Sequence, residues 1–416
     1  MKNWSLNIDF NAAAVHEPTT IDELQSIVAR APKAKALGSA HSFNTIADTG
    51  GDMISMAGLD RVIGVDREAK TVTVEGGISY GALGPLLHSE GSALRNLASQ
   101  PQFTIAGACA TATHGSGDGN RGLATQVVSV DLITGTGDLV TIDDDDEDFA
   151  AVAVGLGAFG AIARATLAVT ETYDVAQELH LDLPLSNAID HLDEIFASAY
   201  SVSYFTDFRS NTINQLWRKH HLEPGDGRLP QTPDRYFGAT RAAEKLAPSG
   251  AKDADRVTDQ LLESGPWFER LPHGRFDVPL EPGSQLQSEY FVEREDGPAA
   301  LAALAELGPV MSPVMVMGEV RTVAGDELWL SPYPTDSLAL HLSWTTDWAA
   351  VRPVLREVEA ALAPFAPRPH WGKLYEMESS SIVERYPRFG DWAAAVERLD
   401  PAGVFRNPFL DDLLAA

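Results

Sequence analysis

Short runs of alternating apolar and polar residues, punctuated by glycine and broken by amphipathic helical stretches, extend over residues 1–173. The clearest run, residues 71–75 (TVTVE), alternates at period two and ends at Gly76-Gly77, which is typical of a half-buried strand. The runs predict strands at 52–56, 61–65, 71–75, 127–133, 138–142 and 161–170, and helices at 20–30, 79–90 and 147–154. Such a mixture of short strands and helices predicts an α+β unit rather than a barrel or a helical bundle.

A second α+β region is expected downstream, because 416 residues are too many for one hydrophobic core. A long segment at 222–256, rich in proline, glycine and charge, is predicted to be a surface loop. Strands are predicted at 285–292, 314–320 and 337–344, with helices at 298–307 and 349–363 and a helical tail at 379–416. These elements predict a sheet covered by helices.

The net charge of the chain limits the classes of molecule that it is expected to bind. A formal net charge of −28 repels phosphate backbones and anionic lipid, so we expect no nucleic acid and no membrane as a partner. A neutral or weakly charged small molecule is favoured, although acidity that only confers solubility would give the same number. The single cysteine, Cys109, excludes an internal disulfide and a cysteine-based metal site. With no basic stretch and apolar run at the start, the expected location is the cytoplasm.

Two segments of small residues are candidate ligand-binding loops. Residues 38–44 (GSAHSFN) bring small side chains next to His41, which lets the backbone approach a bulky ligand closely. Residues 99–117 form a long Gly, Ala, Ser and Thr run around His114, and its backbone N–H groups suit a pyrophosphate. A plain turn with a surface histidine, and a tight structural loop, remain open for the two segments. Residues 155–160 match G-x-G-x-x-G, but they precede a strand instead of following one, so a Rossmann site is not expected.

Four polar residues in the far half are predicted to share one surface. Glu319 and Arg321 stand at i and i+2 on a predicted strand, as do His341 and Ser343 on another. Because side chains alternate between the faces of a strand, each pair points to one side. Lys373 follows a rigid turn at 369–372. If the strands are neighbours, a carboxylate, a guanidinium, an imidazole and a hydroxyl meet there; a buried structural ion-pair network is the alternative.

At these residues the chain resembles, over nearly its whole length, the alditol (xylitol) oxidases of the vanillyl-alcohol-oxidase flavoprotein family. The resemblance rests on GSAHSFN at 38–44, NLASQP at 96–101, AGACATATHGSG at 106–117, LGAFG at 156–160, GEVRTV at 318–323, ELWLSP at 327–332 and RPHWGKLY at 368–375. Sugar-lactone oxidases of the same family are similar but less closely so.

The resemblance implies the two-domain FAD-linked oxidase fold. Residues 1–173 would form an FAD-binding α+β domain with two small sheets, residues 174–375 a substrate domain with an antiparallel sheet, and residues 376–416 a return to the FAD domain. It implies FAD bound covalently through His41, and no metal. The implied FAD contacts are Ala36, Leu37, Gly38, Ser39, Ala40, His41, Ser42, Ser99, Thr104, Gly107, Ala108, Cys109, Ala110, His114, Ile162 and Ser343. The implied substrate-binding residues are Ser99, Glu319, Arg321, His341 and Lys373, of which Arg321, His341 and Lys373 are also expected to be catalytic.

The expected reaction is oxidation of the terminal alcohol of a polyol, with hydride transfer to flavin N5 and reduction of O2 to H2O2. His341 is the first choice as base, because the pKa of histidine lies near 6.5 and is readily tuned to neutral pH. A sugar-1,4-lactone oxidase, an oxygen-insensitive dehydrogenase and a non-catalytic flavin-binding protein remain as alternatives, and a monomer is expected. Three residues depart from the family pattern: Ala40 where glycine or arginine is usual, and Gln100 and Gln102 where leucine and histidine are usual.

Overall fold

The computed structural model describes residues 1–225, 229–248 and 254–416. Within these ranges the strands are β1 Ala14–His16, β2 Ala34–Leu37, β3 Asp52–Ser55, β4 Val62–Asp66, β5 Thr71–Glu75, β6 Ser92–Ala93, β7 Val127–Ile133, β8 Leu139–Asp143, β9 Ala161–Ala168, β10 Thr170–Glu171, β11 Asp174–Pro184, β12 Ser201–Thr206, β13 Thr212–Leu222, β14 Arg235–Tyr236, β15 Ala239–Arg241, β16 Gly265–Pro266, β17 Leu286–Glu293, β18 Met315–Val323, β19 Ser337–Trp344 and β20 Arg368–Pro369.

The helices of the same ranges are α1 Ile21–Val28, α2 Tyr80–Ser89, α3 Ile105–Ala110, α4 Phe149–Val152, α5 Leu185–Asp190, α6 Leu192–Phe196, α7 Trp267–Arg270, α8 Gly297–Glu306, α9 Gly308–Met311, α10 Trp348–Leu362, α11 Ser379–Val383, α12 Phe389–Leu399 and α13 Pro408–Leu414. In the part of the chain that is described, none of them combines the length and the apolar character needed to cross a bilayer.

The amino-terminal part contains the two small sheets that were predicted and, in addition, the antiparallel pair of short strands β6 and β10. In the described chain a parallel three-stranded sheet has the order β1-β3-β2, and an antiparallel five-stranded sheet has the order β4-β5-β9-β7-β8. Helix α1 begins at the predicted cap, where Thr20 Oγ1 accepts from the Glu23 N–H at 3.2 Å. The carboxylate of Glu23 accepts in return from the N–H of Thr19, one residue before the cap, at 2.8 Å. The pattern of the first 173 residues thus placed β3, the five-stranded sheet and helix α1, whereas the short strands β1 and β2 were missed.

The second part is built on a large antiparallel sheet, which has ten strands in the described chain and the main order β14-β15-β11-β13-β12-β18-β19-β17-β20. Strands β17, β18 and β19 and helices α8 and α10 were predicted. Strands β11, β12 and β13 were missed, because both of their faces are covered by protein and they carry buried polar residues such as Gln177, Glu178 and Lys219. A strand buried on both faces lacks the alternation that reveals a half-exposed one.

Part of the predicted surface loop 222–256 is an edge of this sheet. Strands β14 and β15 pair with each other, and β15 pairs with β11 at His180 and Leu181. The prediction of an irregular loop is therefore wrong for these two strands. Residues 226–228 and 249–253 of the predicted loop lie outside the described residues.

One buried apolar cluster joins the large sheet to the helices that cover it. Val320 and Leu340 of the large sheet face helices α8 and α10, whose Leu301 and Leu355 belong to the same buried cluster. The neighbouring residues on β18 and β19 therefore face away from the helices, toward the amino-terminal part. The division at residues 173 and 375 stays a prediction.

The carboxyl-terminal segment packs against the first half of the chain. Trp392 and Leu410 share a cluster with Val72 and Leu167 of the five-stranded sheet. Further along, the Ala34 N–H donates to the carbonyl of Val404 at 2.8 Å. The Asn407 side chain donates to the carbonyls at 45, 46 and 48, at 3.3, 3.1 and 2.8 Å. The last 25 residues thus close the amino-terminal part.

Candidate active site

A cavity of about 710 Å³ lies between the small-residue loops and the free face of the large sheet. Its volume is in the range of small-molecule and cofactor sites. Its amino-terminal wall is made by residues 35–43 and by parts of 98–114, and its opposite wall by residues of β17, β18 and β19 together with Gly372 and Lys373. The two groups of residues that the sequence singled out therefore face the same space.

His41 stands on the amino-terminal wall with an unused ring nitrogen. Its Nδ1 is buried and has no hydrogen-bond partner in the described chain. Its ring stacks on Trp4, with 5.1 Å between ring centroids, and meets the edge of Phe103 at 4.9 Å. Burial lowers the pKa of His41 to about 4, so the imidazole is neutral at physiological pH. A neutral, oriented imidazole with a free nitrogen in a cavity is suited to bonding an electrophilic group.

The loop that carries His41 is held in an unusual backbone conformation. Ala40 has φ of +56°, in the left-handed region that favours glycine. The amino terminus fixes this conformation, since the Trp4 N–H donates to the Ala40 carbonyl at 2.7 Å and Asn3 donates to the Ser42 carbonyl at 2.8 Å. The departure at residue 40, where the family pattern has glycine or arginine, therefore falls at a position where a glycine would relieve strain.

The second small-residue loop approaches the first so closely that only glycine fits. A Cβ at residue 38 would lie 2.2 Å from Thr104 Oγ1, which is buried and has no hydrogen-bond partner in the described ranges. Helix α3 begins after Thr104, and its Gly107, Ala108 and Ala110 line the cavity. Small side chains on both loops leave room for a flat ligand between them.

Most of the predicted FAD contacts lie on this wall. The cavity is lined by Ala36, Leu37, Gly38, Ser39, Ala40, His41, Ser42, Ser99, Gly107, Ala108, Ala110 and His114. Thr104, Cys109, Ile162 and Ser343 do not line it. Cys109 points into the core beside the Tyr80 hydroxyl, at 3.9 Å, and Ile162 lies in β9 opposite Leu132.

The opposite wall is organised by strand register. His341 on β19 pairs with Glu319 on β18 and with Glu289 on β17, so a carboxylate, an imidazole and a carboxylate form one row across three strands. Arg321 lies two residues beyond Glu319 on the same face, and its Nη1 donates to Ser99 Oγ at 3.0 Å. Glu319, Arg321, His341, Lys373 and Ser99 all line the cavity. The predicted adjacency of the two strands is confirmed.

Glu289, which the sequence analysis did not identify, is the centre of the charge cluster. Its Oε1 accepts from Arg321 Nη2 at 2.6 Å and lies 3.2 Å from His114 Nε2. Its Oε2 accepts from Lys373 Nζ at 2.6 Å and lies 3.8 Å from His341 Nδ1. The sequence did offer one indication of Glu289, because a charged residue in the middle of the predicted strand 285–292 is unusual. Glu289 lies two positions after Gln287 and is the residue of β17 that pairs with His341. His273, in the loop after α7, had no recognisable signal.

Burial and neighbouring charge set the ionisation of the cluster. Burial alone would raise the pKa of Glu289, but the Lys373 and Arg321 cations outweigh it and hold this pKa well below its usual range. The pKa of Glu319 is lowered in the same way, against burial, by Arg321 and His273. Both carboxylates are therefore ionised, and each lies beside a cation.

The expectation of a near-neutral pKa for His341 is wrong. Burial, and then the Lys373 cation, lower this pKa to about 4. Lys373 Nζ donates to His341 Nδ1 at 2.7 Å, so the ring proton is on Nε2, which donates to Ser343 Oγ at 3.0 Å. Ser343 therefore orients His341 from behind the wall instead of lining the cavity.

Several polar atoms on this wall remain available to a ligand. Glu319 Oε2 has no protein partner in the described chain, whereas Oε1 accepts from His273 at 2.7 Å. Lys373 uses two of its three N–H bonds, on Glu289 and His341. Gln100, Gln285 and Gln287 also line the cavity. Their side-chain amides make no hydrogen bond to any other residue of the described chain. Such alternating donors and acceptors match a chain of hydroxyl groups.

Gln100 and Gln102, the two glutamines that depart from the family pattern, lie in different places. Gln100 lines the cavity beside Gly274, where a Cβ would lie 2.6 Å from its Oε1. Gln102 lies outside the lining and donates to the Arg275 carbonyl at 3.0 Å, which ties the 99–103 segment to the loop at 271–281. Only the first of these substitutions is placed to touch a ligand.

Comparison with known proteins shows relatives along the whole chain. Residues 12–143 match the family described as FAD binding domain, and residues 281–413 match the family described as D-arabinono-1,4-lactone oxidase. The chain is 41% identical to an alditol oxidase of Streptomyces sp., over 99% of this chain and 98% of the relative. It is 31% identical to an L-gulono-1,4-lactone dehydrogenase of Mycobacterium tuberculosis, over 98% and 97%.

The fold matches solved structures at lower sequence identity. A solvent-stable cholesterol oxidase superposes with a TM-score of 0.79 at 17% identity, covering 99% of this chain and 97% of that one. A similarity at this level of sequence identity establishes the α+β architecture. The reaction has to be inferred from the residues of the site.

Proposed function

This chain belongs to the FAD-linked oxidases of the vanillyl-alcohol-oxidase family, and from that premise we propose that it oxidises the terminal primary alcohol of a polyol of the xylitol, sorbitol or glycerol type. The observation that carries the proposal is the row Glu289–His341–Glu319 with Arg321 and Lys373, which faces the same cavity as His41. One wall is built for a flat cofactor and the other for hydroxyl groups.

The residues of the amino-terminal wall fit FAD. The buried, unpartnered Nδ1 of His41 is available for a covalent bond to the cofactor, and the 38–42 and 107–110 loops have no bulky side chains in the way. When bound, FAD supplies the acceptor for a hydride and passes the electrons to O2, which leaves as H2O2.

The opposite wall binds and orients the alcohol. The free N–H of Lys373 and the Arg321 guanidinium lie where they would donate to the reacting oxygen and stabilise negative charge that develops on it. Glu319 Oε2 accepts from a hydroxyl further along the polyol, and Ser99 Oγ, which already accepts from Arg321, keeps its own proton to donate. The arrangement thus fixes one end of the substrate by charge and the rest by hydroxyl contacts.

His341 and Lys373 together take the proton of the alcohol. Lys373 donates to Nδ1 of the neutral imidazole, so it passes that proton to His341 and receives the proton of the alcohol. The resulting imidazolium lies between Glu289 and Glu319, whose carboxylates favour its charged form. His341 thus remains the terminal base although its resting pKa is about 4.

We also propose where the protein is located and how many chains it contains. The lone cysteine, Cys109, is buried, and together with the acidic composition it is consistent with a protein of the cytoplasm. We propose a monomer, because one chain supplies both walls of the cavity.

A lactone substrate is the second candidate, and it has a specific observation behind it. Residues 281–413, which include Glu289, Glu319, Arg321, His341 and Lys373 but not Ser99, His114 or His273, match the lactone-oxidase family. The alditol proposal is preferred because the relative with 41% identity is an alditol oxidase, whereas the lactone-acting relative is 31% identical.

A substrate panel with two readouts separates these functions. Xylitol, sorbitol, glycerol and gulonolactone are each added anaerobically to the yellow holoenzyme, and bleaching of the flavin spectrum is recorded; peroxide is then measured in air. Bleaching by the polyols with peroxide formation is expected. Bleaching by gulonolactone alone would assign the lactone activity, and bleaching without peroxide would indicate a dehydrogenase. A colourless preparation would refute the flavoenzyme assignment.

A further inference from the structure

A buried lysine and a histidine lie behind the substrate wall and are not accounted for by the reaction above. Lys219 on β13 is 1% exposed, and its ammonium group donates to the carbonyls of Leu271 and Pro272 and to Nδ1 of His273 at 3.1 Å. Three acceptors match the three donors of an ammonium group. Burial lowers the pKa of Lys219 to about 7, while the nearby Glu319 carboxylate favours the charged form.

The contact with Lys219 fixes the tautomer of His273. Because an ammonium group only donates, Nδ1 of His273 must accept, and the ring proton of the neutral imidazole is then on Nε2. Nε2 donates to Glu319 Oε1 at 2.7 Å. Phe205 and Trp217 meet the imidazole edge-on, at centroid distances of 5.3 and 5.2 Å, and hold the plane of the ring.

The consequence reaches the cavity at Glu319. Its Oε1 is occupied by His273 and lies 3.4 Å from Arg321 Nε. Its Oε2 is left without a protein partner among the described residues, on a side chain that lines the cavity. The carboxylate of Glu319 is therefore held in one orientation, in which only Oε2 is available to a ligand in the cavity.

We propose that Lys219 and His273 are positioning residues, which commit Glu319 to accept a hydroxyl of the substrate through Oε2. The inference rests on the proposed polyol function for the identity of the ligand, but the tautomer of His273 is independent of it. Without Lys219, the Glu319 carboxylate alone favours the proton on Nε2, and the tautomer with the proton on Nδ1 becomes accessible. In that tautomer the Nε2 lone pair faces Glu319, so the carboxylate loses part of its fixed orientation.

The charged groups that face His273 make its contact with Glu319 depend on pH. They are Lys219 on β13 and Glu319 and Arg321 on β18. Burial first, and then the Lys219 charge, lower the pKa of His273 to about 4, so the wild-type ring stays neutral above pH 5. Removal of the Lys219 charge raises this pKa. In the protonated ring both nitrogens donate, so the contact with Glu319 returns as pH falls.

The kinetic test uses Lys219→Met with xylitol at pH 6.5, where the wild type has a charged Lys219 and a neutral His273, and at pH 5. We expect KM at pH 6.5 to rise roughly 3- to 10-fold, the scale of one lost hydrogen bond, with a smaller change in kcat, and to recover toward wild type at pH 5. Lys219→Arg, which keeps the charge and the donors, should restore KM. The matched control is Lys245→Met, which removes a charge paired with Asp259 at 3.2 Å, outside the cavity, and should leave KM unchanged at both pH values.

A double variant distinguishes positioning from general damage to the fold. If Lys219 acts through Glu319, then Lys219→Met should raise KM no further in a Glu319→Gln background. An additive, pH-independent rise would overturn the proposal.

The tautomer itself is read by ¹⁵N-histidine NMR on the wild-type holoenzyme, with the His273 signals assigned from His273→Gln. Protonation on Nε2 is expected, and protonation on Nδ1 would overturn the inference whether or not Lys219→Met folds. Failure of the wild type to oxidise any polyol would instead refute the proposed function and leave the NMR result standing.

Discussion

Replacement of Glu289 by glutamine tests whether the charge cluster holds the substrate wall together. The carboxylate accepts from Arg321 at one oxygen and from Lys373 at the other, both at 2.6 Å. An amide of the same shape has one acceptor, so in either orientation its NH2 group faces a cation. At this distance, and with an effective dielectric constant of 20, each attraction amounts to about 6 kcal/mol, against which the desolvation of the buried ions must be set.

The net loss is expected to be about 3–5 kcal/mol, the scale for removing one partner of a buried ion pair. At roughly 2 °C per kcal/mol, the apparent Tm followed by tryptophan fluorescence should fall by about 6–10 °C. Without the Glu289 charge the pKa of Lys373, which burial already lowers, falls further. The protonated form of Lys373 is thereby disfavoured, and kcat/KM for xylitol should drop by about 10²-fold.

The pH dependence follows from the sign of the shift. The pKa of Glu289 is depressed in the folded protein, so its stabilisation is complete above the unfolded value of about 4.5 and is lost as pH falls through the folded pKa. The difference in unfolding free energy between wild type and variant should therefore be constant from pH 5 to 8 and shrink below pH 4.5.

A matched control is available at the surface. Glu376 also accepts from two arginines, Arg352 and Arg356, at 2.7 and 2.8 Å, but both of these are at least half exposed. Glu376→Gln should cost no more than about 1 kcal/mol and leave kcat/KM unchanged. If Glu289→Gln were no more destabilising than this control, the account of the cluster as a tightly coupled buried network would be refuted.

Four further outcomes are expected. His41→Ala should yield a protein whose flavin is released by trichloroacetic acid, and a pellet that stays yellow would contradict the linkage. Lys373→Ala should lower kcat/KM for xylitol at least ~10²-fold, and near-normal turnover would remove Lys373 from the mechanism. The acid limb of the wild-type kcat/KM profile should lie near pH 4, where His341 protonates; a limb near pH 6.5 would contradict the lowered pKa. Ala40→Gly should raise the unfolding free energy by about 0.5–1 kcal/mol, because the left-handed strain of ~1–2 kcal/mol exceeds the added chain entropy, and a lower Tm would argue against strain at this position.

How far the sequence predicted the fold depended on exposure. Strands β5 and β7 were placed closely because one face of each is partly exposed and much of the period-two pattern survives. Strands β11 and β13 were missed, since protein covers both of their faces and the buried polar residues erase the alternation. Edge strands β14 and β15 are too short for any pattern to register.

The same distinction applies to the site. Glu319 with Arg321, and His341 with Ser343, were predicted to share a face because a spacing of two along one strand is a local property. Glu289 and His273 were missed, because their contacts with β18 and β19 depend on the pairing of distant segments, which one sequence does not reveal. The pKa of His341 was misjudged for a related reason: burial and the position of Lys373 are properties of the folded chain.

The contacts of residues 404–407 with the first half of the chain determine when, during synthesis, the His41 loop can gain its support. Phe405 and Asn407 bond to Lys35 and to the 45–48 turn, which lies just beyond the His41 loop, so this part of the cofactor wall is assembled only after residue 407 has left the ribosome. A chain that stalls or is clipped before that point has a His41 loop without its final support. Flavin incorporation should then fall in a chain that lacks residues 405–407, even though the His41 loop itself is present.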